Sequence, residues 1–254
     1  MTPALPPALR PLLEDSAHSA ILLDFDGTLA EIVARPELAA PVDGAREAVA
    51  GLVGRFGVVA VISGRPTDDV RALVDVEGVR YVGLYGLEVT AVPAGVREAA
   101  DVAAALVPEA WVEDKGGSVA LHYRQAPDPE SARRGLLSAL RSVPAGFDVI
   151  EGKLVVELVP ADRPRKGGAV RRVIEEAGAA AALYAGDDLA DVEAFAELDL
   201  LGEERHLRAV RVAVAGPETP QALLAAADLR VEGPPGLVAM LRDLAPVPSR
   251  RTDR

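Results

Sequence analysis

Val58-Val59-Ala60-Val61-Ile62 is an unbroken apolar run set between Gly57 and Ser63-Gly64. Such a run reads as a strand buried on both faces, the situation of a strand in a parallel sheet covered by helices on either side. Ile21-Leu22-Leu23 belongs to another such strand, over 20–24. Between the two, Ala45, Val49, Leu52, Val53 and Phe56 recur at helical spacing, with Asp43 placed to cap a helix over 43–56 and Gly57 to end it. After the second strand, Thr67 caps a helix to about Leu73, and 80–83 is a third strand. Strand and helix alternate, which predicts a doubly wound parallel sheet of the Rossmann type.

The alternation stops near residue 94. A helix over 96–106 precedes an alternating strand over 111–123, a helix over 129–141, and a strand pair at 147–149 and 154–159. This order predicts a small α+β domain with helices on one face of its own sheet. Alternation then resumes. Helices are expected over 167–177, from Gly186-Asp187-Asp188 to Leu198, over 220–226 and over 237–244. Strands are expected at 181–185, 210–215 and 229–231. The predicted organisation is a lead-in over 1–19, a discontinuous core over 20–93 and 163–245, an inserted domain over 94–162 flanked by Pro93, Pro160 and Pro164, and a tail over 246–254.

The chain has 254 residues and a formal charge of −12, so it lacks the basic balance of a nucleic-acid binder. It contains no cysteine, which excludes disulfides and thiolate chemistry. No uncharged apolar run is long enough to span a membrane, and the first 19 residues do not read as a signal peptide, so a cytoplasmic location is expected. Of 27 Lys and Arg residues only Lys115, Lys153 and Lys166 are Lys. In so Arg-rich a chain they mark places where a compact ammonium serves and a guanidinium does not.

The strand at Ile21 runs into Asp24-Phe25-Asp26-Gly27-Thr28. Side chains two apart on a strand share a face, so Asp24 and Asp26 are expected to converge just beyond its carboxyl end. Paired acids there suit a metal site and a carboxylate nucleophile, whereas a structural core seldom accepts unpaired charges. Ser63-Gly64-Arg65, Lys166-Gly167 and Gly186–Asp191 also fall where strands end or helices begin, the ligand-binding edge of an open α/β sheet.

These four segments, in this order, resemble the motifs of the haloacid-dehalogenase-like (HAD) phosphatases. The resemblance implies Asp24 as nucleophile and Asp26 as general acid/base. Ser63 holds the transferring phosphoryl group and Lys166 neutralises it. Asp187 completes a magnesium (Mg2+) site with Asp24 and a backbone oxygen of Asp26. Oxygen ligands suit that hard cation, and the N–H groups of the 25–27 loop are placed to hold phosphoryl oxygens. Asp188 and Asp191 either join the metal shell, hold Lys166 or, for Asp188, cap the following helix.

Glu113 and Lys115 share a strand face, where they either grip sugar hydroxyls or form a cross-strand ion pair. Glu113-Asp114-Lys115 followed by His122-Tyr123-Arg124 resembles the cap domain of trehalose-6-phosphate phosphatases, as do the segments 83–88 and 153–157. This implies that Glu113, Lys115, Arg124 and Glu157 bind the distal glucose, and that Gly64 and Arg65 close the phosphate pocket. His122 is expected to be structural and Trp111 to pack in the core. Leu84-Tyr85 departs from the family's usual Asn-His, and Ala190 and Val192 from its usual Thr and Glu. The implied activity is Mg-dependent hydrolysis of trehalose 6-phosphate to trehalose and phosphate through an aspartyl-phosphate, the last step of trehalose biosynthesis. Sucrose 6-phosphate or mannosyl-3-phosphoglycerate are alternative substrates, and a non-catalytic sugar-phosphate-binding subunit is the alternative class. The expected partner is a small sugar phosphate, with neither nucleic acid nor membrane. A monomer is expected, with room for a separate trehalose-6-phosphate synthase as a partner.

Overall fold

The structure, a computed structural model, describes residues 5–87, 92–141, 143–161 and 165–244. Two compact units divide the chain: one runs to Tyr85 and resumes at Arg165, and the other spans 86–164.

The larger unit is built on six parallel strands: β1 (Ser19–Leu23), β2 (Val58–Ile62), β3 (Arg80–Val82), then, after the second unit, β8 (Ala181–Gly186), β9 (Arg208–Ala215) and β10 (Leu229–Glu232). Their order across the sheet is β10-β9-β8-β1-β2-β3. Every residue of β1 and of β8 is buried, as continuous apolar runs require when both faces are covered. One face presents Ile21, Leu23, Val59, Val61, Leu183 and Val212 to α2 (Ala45–Ala50), α3 (Thr67–Val74) and α9 (Gly233–Leu244). The other presents Ala20, Leu22, Ala60, Ile62 and Tyr184 to α6 (Lys166–Ala177), α7 (Leu189–Arg205) and α8 (Gln221–Ala226). A short α1 (Arg10–Glu14) tucks Leu12 into the first of these layers.

The smaller unit is an antiparallel sheet in the order β4-β5-β7-β6, made of β4 (Trp111–Asp114), β5 (Val119–His122), β6 (Phe147–Gly152) and β7 (Val155–Pro160). Val119, Leu121, Val156 and Leu158 pack one face against α4 (Ala94–Ala105) and α5 (Pro129–Ala139).

Among the differences from the sequence reading, three have a clear local cause. The helix expected over 43–56 is only α2, Ala45–Ala50, and its N-cap is Gly44 at φ 77° rather than Asp43. Gly51 and Gly54 lie where the helix would continue, and Gly54 takes φ 77°, which a helix cannot use. The strand expected over 111–123 is a hairpin. Its turn places Gly116 at φ 85° and closes with the Lys115 N–H on the Ser118 carbonyl at 3.0 Å. Helix α7 continues past Leu198 to Arg205 because Leu201 is still a core residue, and it stops where His206 turns left-handed at φ 59°. Among the described residues no helix is long and apolar enough to cross a membrane.

Candidate active site

Strands β1 and β8 lie side by side at mid-sheet, in register from Ser19↔Ala181 to Leu23↔Ala185. The chain order runs outwards from this pair in both directions. Such a switch point leaves a crevice beyond the strands' carboxyl ends, the place where open α/β sheets bind ligands. Asp24 follows β1 and Asp187 follows β8, so neighbouring strands deliver one carboxylate each. The Asp24 N–H donates to the Ala185 carbonyl at 2.9 Å and ties the two exits together.

Lys166, the first residue of α6, enters this cluster and is buried. Its Nζ lies 3.0 Å from Asp24 Oδ1, 2.6 Å from Asp191 Oδ1 and 3.7 Å from Asp188 Oδ1. Thr28 Oγ1 donates to Asp24 Oδ2 at 3.4 Å. Asp191 is fully saturated. Its Oδ1 accepts from Lys166 and, at 2.7 Å, from the Tyr184 hydroxyl, and its Oδ2 accepts the N–H groups of Asp187 (2.8 Å) and Asp188 (2.9 Å). Asp188 caps α7 in return by accepting the Asp191 N–H at 3.1 Å, which makes a reciprocal capping box.

The charges are unevenly balanced. Burial raises the Asp24 carboxyl well above its usual range, Lys166 pulls it down, and Asp191, Asp188 and Asp187 push it up again. Burial also lifts Asp191 to about 6 against the pull of Lys166. Burial acts against the Lys166 ammonium, yet Asp188, Asp191 and Asp24 outweigh it and hold the lysine well above its usual value. For Asp188, burial resists ionisation, and Lys166 with the hydrogen bonds of the α7 cap overcomes it.

One ammonium therefore faces several carboxylates, and a divalent cation would relieve the excess. Carboxylate oxygens of Asp24, Asp187 and Asp191 lie within 4.8 Å of one another, all three residues buried. An all-oxygen set of this kind fits a hard divalent ion. Gly27, at φ 80°, backs onto the Asp187 carboxylate so closely that a Cβ there would collide with it. The glycine is thus required twice, by its backbone angle and by its neighbour.

Asp26 does not point where the strand alternation predicts. Strand β1 ends at Leu23, and beyond it the chain turns into a bridge between Asp26 and Ala30, so the period of two no longer holds. The Asp26 carboxylate is instead forked by Arg65, with Nε to Oδ2 at 2.8 Å and a terminal nitrogen to Oδ1 at 2.7 Å. The Gly27 N–H, expected to serve a phosphoryl oxygen, donates to the Ala30 carbonyl at 2.8 Å.

Ser63 directly follows β2 and is buried, with its Oγ accepting the Arg65 N–H at 3.1 Å. A side chain on Gly64 would press on the Tyr85 hydroxyl, 3.1 Å from the Cβ position. Leu84 and Tyr85 both take left-handed angles, φ 48° and 54°. Non-glycine residues hold such angles only where surrounding structure imposes them. Here the Leu84 N–H is fixed on the Arg65 carbonyl at 2.9 Å. The turn lays the Tyr85 ring 5.6 Å from Lys166 Nζ. The sequence reading noticed Tyr85 only as a departure and missed its place beside the lysine.

In the smaller unit, register sets Glu113 opposite Ala120 and Ala120 opposite Glu157, a row on the sheet face away from the helices. Glu157 accepts from Lys115 at 3.3 Å and from the Ser118 hydroxyl at 2.6 Å. Glu113 pairs with His122 at 2.8 Å, and His122 stacks on Trp111 with ring centroids 4.1 Å apart. Trp111 therefore belongs to this polar face and lies outside the apolar cluster where the sequence reading put it. Arg124 donates to the Lys153 carbonyl at 3.1 Å. Ser118 and Tyr184 were missed. A tyrosine inside an apolar strand was the available signal, because a buried hydroxyl needs a partner. Glu88, quoted in the family resemblance, lies outside the described residues.

Residues 22–222 match the family model described as trehalose-phosphatase. A trehalose-phosphate phosphatase of Mycobacterium avium is 36% identical over 202 residues, covering 70% of this chain and 51% of that protein. An uncharacterized glycosyl hydrolase of Mycobacterium tuberculosis is 40% identical over 201 residues, covering 69% of this chain and 15% of its own length. The chain thus spans about half the length of the phosphatase and a small part of the hydrolase. The C-terminal domain of the Candida albicans trehalose-6-phosphate phosphatase shares the fold with a TM-score of 0.76 at 22% identity, over 96% of this chain and 99% of that one.

Proposed function

The chain belongs to the trehalose-phosphatase family, and on that premise we propose that it hydrolyses trehalose 6-phosphate to trehalose and inorganic phosphate. The observation that carries the reading is the meeting of Asp24, Asp187, Asp191 and Lys166 at the switch point of the sheet.

In this reading Asp24 attacks phosphorus, the P–O bond to the sugar breaks, and Asp26 gives its proton to the departing sugar oxygen. A water, deprotonated by Asp26, then attacks the aspartyl-phosphate, releasing phosphate and restoring the Asp24 carboxylate. Lys166 sets a fixed positive charge beside the phosphoryl group, and Ser63 with Gly64 holds its oxygens. Asp24, Asp187 and the backbone of Asp26 would hold Mg2+, which supplies positive charge against the dianionic ester. Asp191 acts on Lys166 and on the Asp187 backbone.

Glu113, Lys115, Arg124 and Glu157 would read the distal glucose. Support comes from the acceptors and donors gathered on one sheet face, groups able to hydrogen-bond sugar hydroxyls. The proposed setting is the cytoplasm, in keeping with a charged substrate that does not cross a bilayer unaided.

The test is phosphate release from trehalose 6-phosphate, sucrose 6-phosphate and glucose 6-phosphate, with Mg2+ or with EDTA. Metal-dependent turnover that prefers the first is expected. Equal turnover of all three rejects the substrate assignment, and no turnover of any rejects the activity.

A further inference from the structure

The sequence resemblance has Arg65 help close the phosphate pocket. The geometry points elsewhere: we propose that Arg65 is a positioning residue that fixes the carboxylate of Asp26 for proton transfer with the leaving sugar. This rests on the phosphatase reading above and names how one residue of that same site is controlled.

The guanidinium is held on every side. Its Nε and one terminal nitrogen grip both oxygens of Asp26 at 2.8 and 2.7 Å, and the other terminal nitrogen donates to the Pro36 carbonyl at 2.9 Å. Its Cζ lies 5.4 Å from the centre of the Phe25 ring. Its own backbone is pinned as well, the N–H on Ser63 Oγ and the carbonyl under the Leu84 N–H. The Arg65 side chain is 13% exposed and that of Asp26 is 37% exposed. The clamp is enclosed while the carboxylate it holds can still be reached.

A two-point fork sets both distance and direction, which a single charge does not. A carboxyl that gives up its proton from one oxygen stays anchored through the other. Orientation of this kind is worth most when the leaving group is poor. A sugar alkoxide needs its proton as the P–O bond breaks, whereas p-nitrophenolate leaves without one. A phosphate-gripping arginine would instead serve both esters alike.

The experiment compares kcat/KM for trehalose 6-phosphate and p-nitrophenyl phosphate in the wild type, Arg65→Lys, Arg65→Ala, Asp26→Asn and the double variant Arg65→Ala/Asp26→Asn. Inhibition by inorganic phosphate is measured in each. Arg65→Lys keeps the charge and loses the fork, and it remains informative if Arg65→Ala does not fold. Under the proposal both Arg65 variants lose at least tenfold more kcat/KM on the sugar phosphate than on the aryl phosphate. The double variant is then no slower on the sugar phosphate than Asp26→Asn, and phosphate inhibits the Arg65 variants as it does the wild type. Equal losses on both esters, weakened phosphate inhibition, or a double variant tenfold below Asp26→Asn overturns it. A wild type inactive on both esters overturns the phosphatase reading itself, and a wild type active on the aryl ester alone overturns its substrate.

Discussion

The Lys166 ammonium lies closer to Asp191, at 2.6 Å, than to Asp24, at 3.0 Å. Asp191 thus anchors the lysine while Asp24 shares it, and the other Asp24 oxygen takes the longer contact from the Thr28 hydroxyl, at 3.4 Å.

Replacing Asp24 by Asn removes the charge that strikes phosphorus but keeps the shape of the site. Phosphate release should fall at least about a thousandfold, as expected for loss of a covalent nucleophile. Measured with purified protein and trehalose 6-phosphate, a loss of less than tenfold would rule out the nucleophile assignment.

Asp191→Asn strips the lysine of its closest partner inside the protein. Breaking a buried charge pair by removing one member costs roughly 3–5 kcal/mol. Urea unfolding should show a loss of that size, whereas Tyr184→Phe, which removes a single hydrogen bond to Asp191, should cost about 1 kcal/mol. Equal effects from the two would mean that the lysine contact carries little of the stability.

The crowded carboxylates predict that a divalent ion stabilises the protein. Saturating Mg2+ should raise Tm in the wild type, and the rise should vanish in Asp187→Asn. Binding to the native state at a hundred times Kd corresponds to about 2.7 kcal/mol. An unchanged Tm across a Mg2+ titration would contradict the site.

On the smaller unit, Lys115→Ala removes a donor that now rests on Glu157. If that face reads the sugar, KM for trehalose 6-phosphate should rise about tenfold with little change in kcat, the signature of lost uniform binding. An unchanged KM would leave the Lys115–Glu157 contact a structural ion pair only.

Stability should fall in acid through Asp228. Burial acts to raise its carboxyl, but the hydrogen bonds from the Arg211 side chain and N–H hold it below its usual value. A depressed folded value means the pair stabilises above the ordinary carboxylate range near 4, and the contribution is lost as pH falls through the folded value. Asp228→Asn should cost up to about 1 kcal/mol at pH 7 and progressively less as pH falls below the ordinary carboxylate range. A gap that widens on acidification would reverse the sign.

Much of this was legible beforehand because the apolar runs at β1, β2 and β8 are continuous and end in polar motifs. Their position marked the polar segments, and the resemblance to the phosphatase motifs then singled out Asp24, Lys166 and Asp187 within them. Side-chain direction was not legible. Alternation predicts where Asp26 points only while the strand lasts, and β1 stops at Leu23, so Asp26 turns to Arg65. The partners of Asp191 and Glu157, Tyr184 and Ser118, come from elements whose neighbours depend on register, which residue type alone does not set. The hairpin at 115–118 was signalled by its glycine pair but concealed by the alternation on either side.

Ser19 pairs with Ala181, so the central strand finds one of its two neighbours only after the whole second unit has been translated. β1, β2 and β3 are all translated before β8, so the side of β1 that β8 covers has no native partner until β8 emerges. The inserted residues, contiguous in sequence, can fold in the meantime. Fast local contacts thus precede slow distant ones, and the nascent chain is most in need of protection at the strand that leads directly into Asp24.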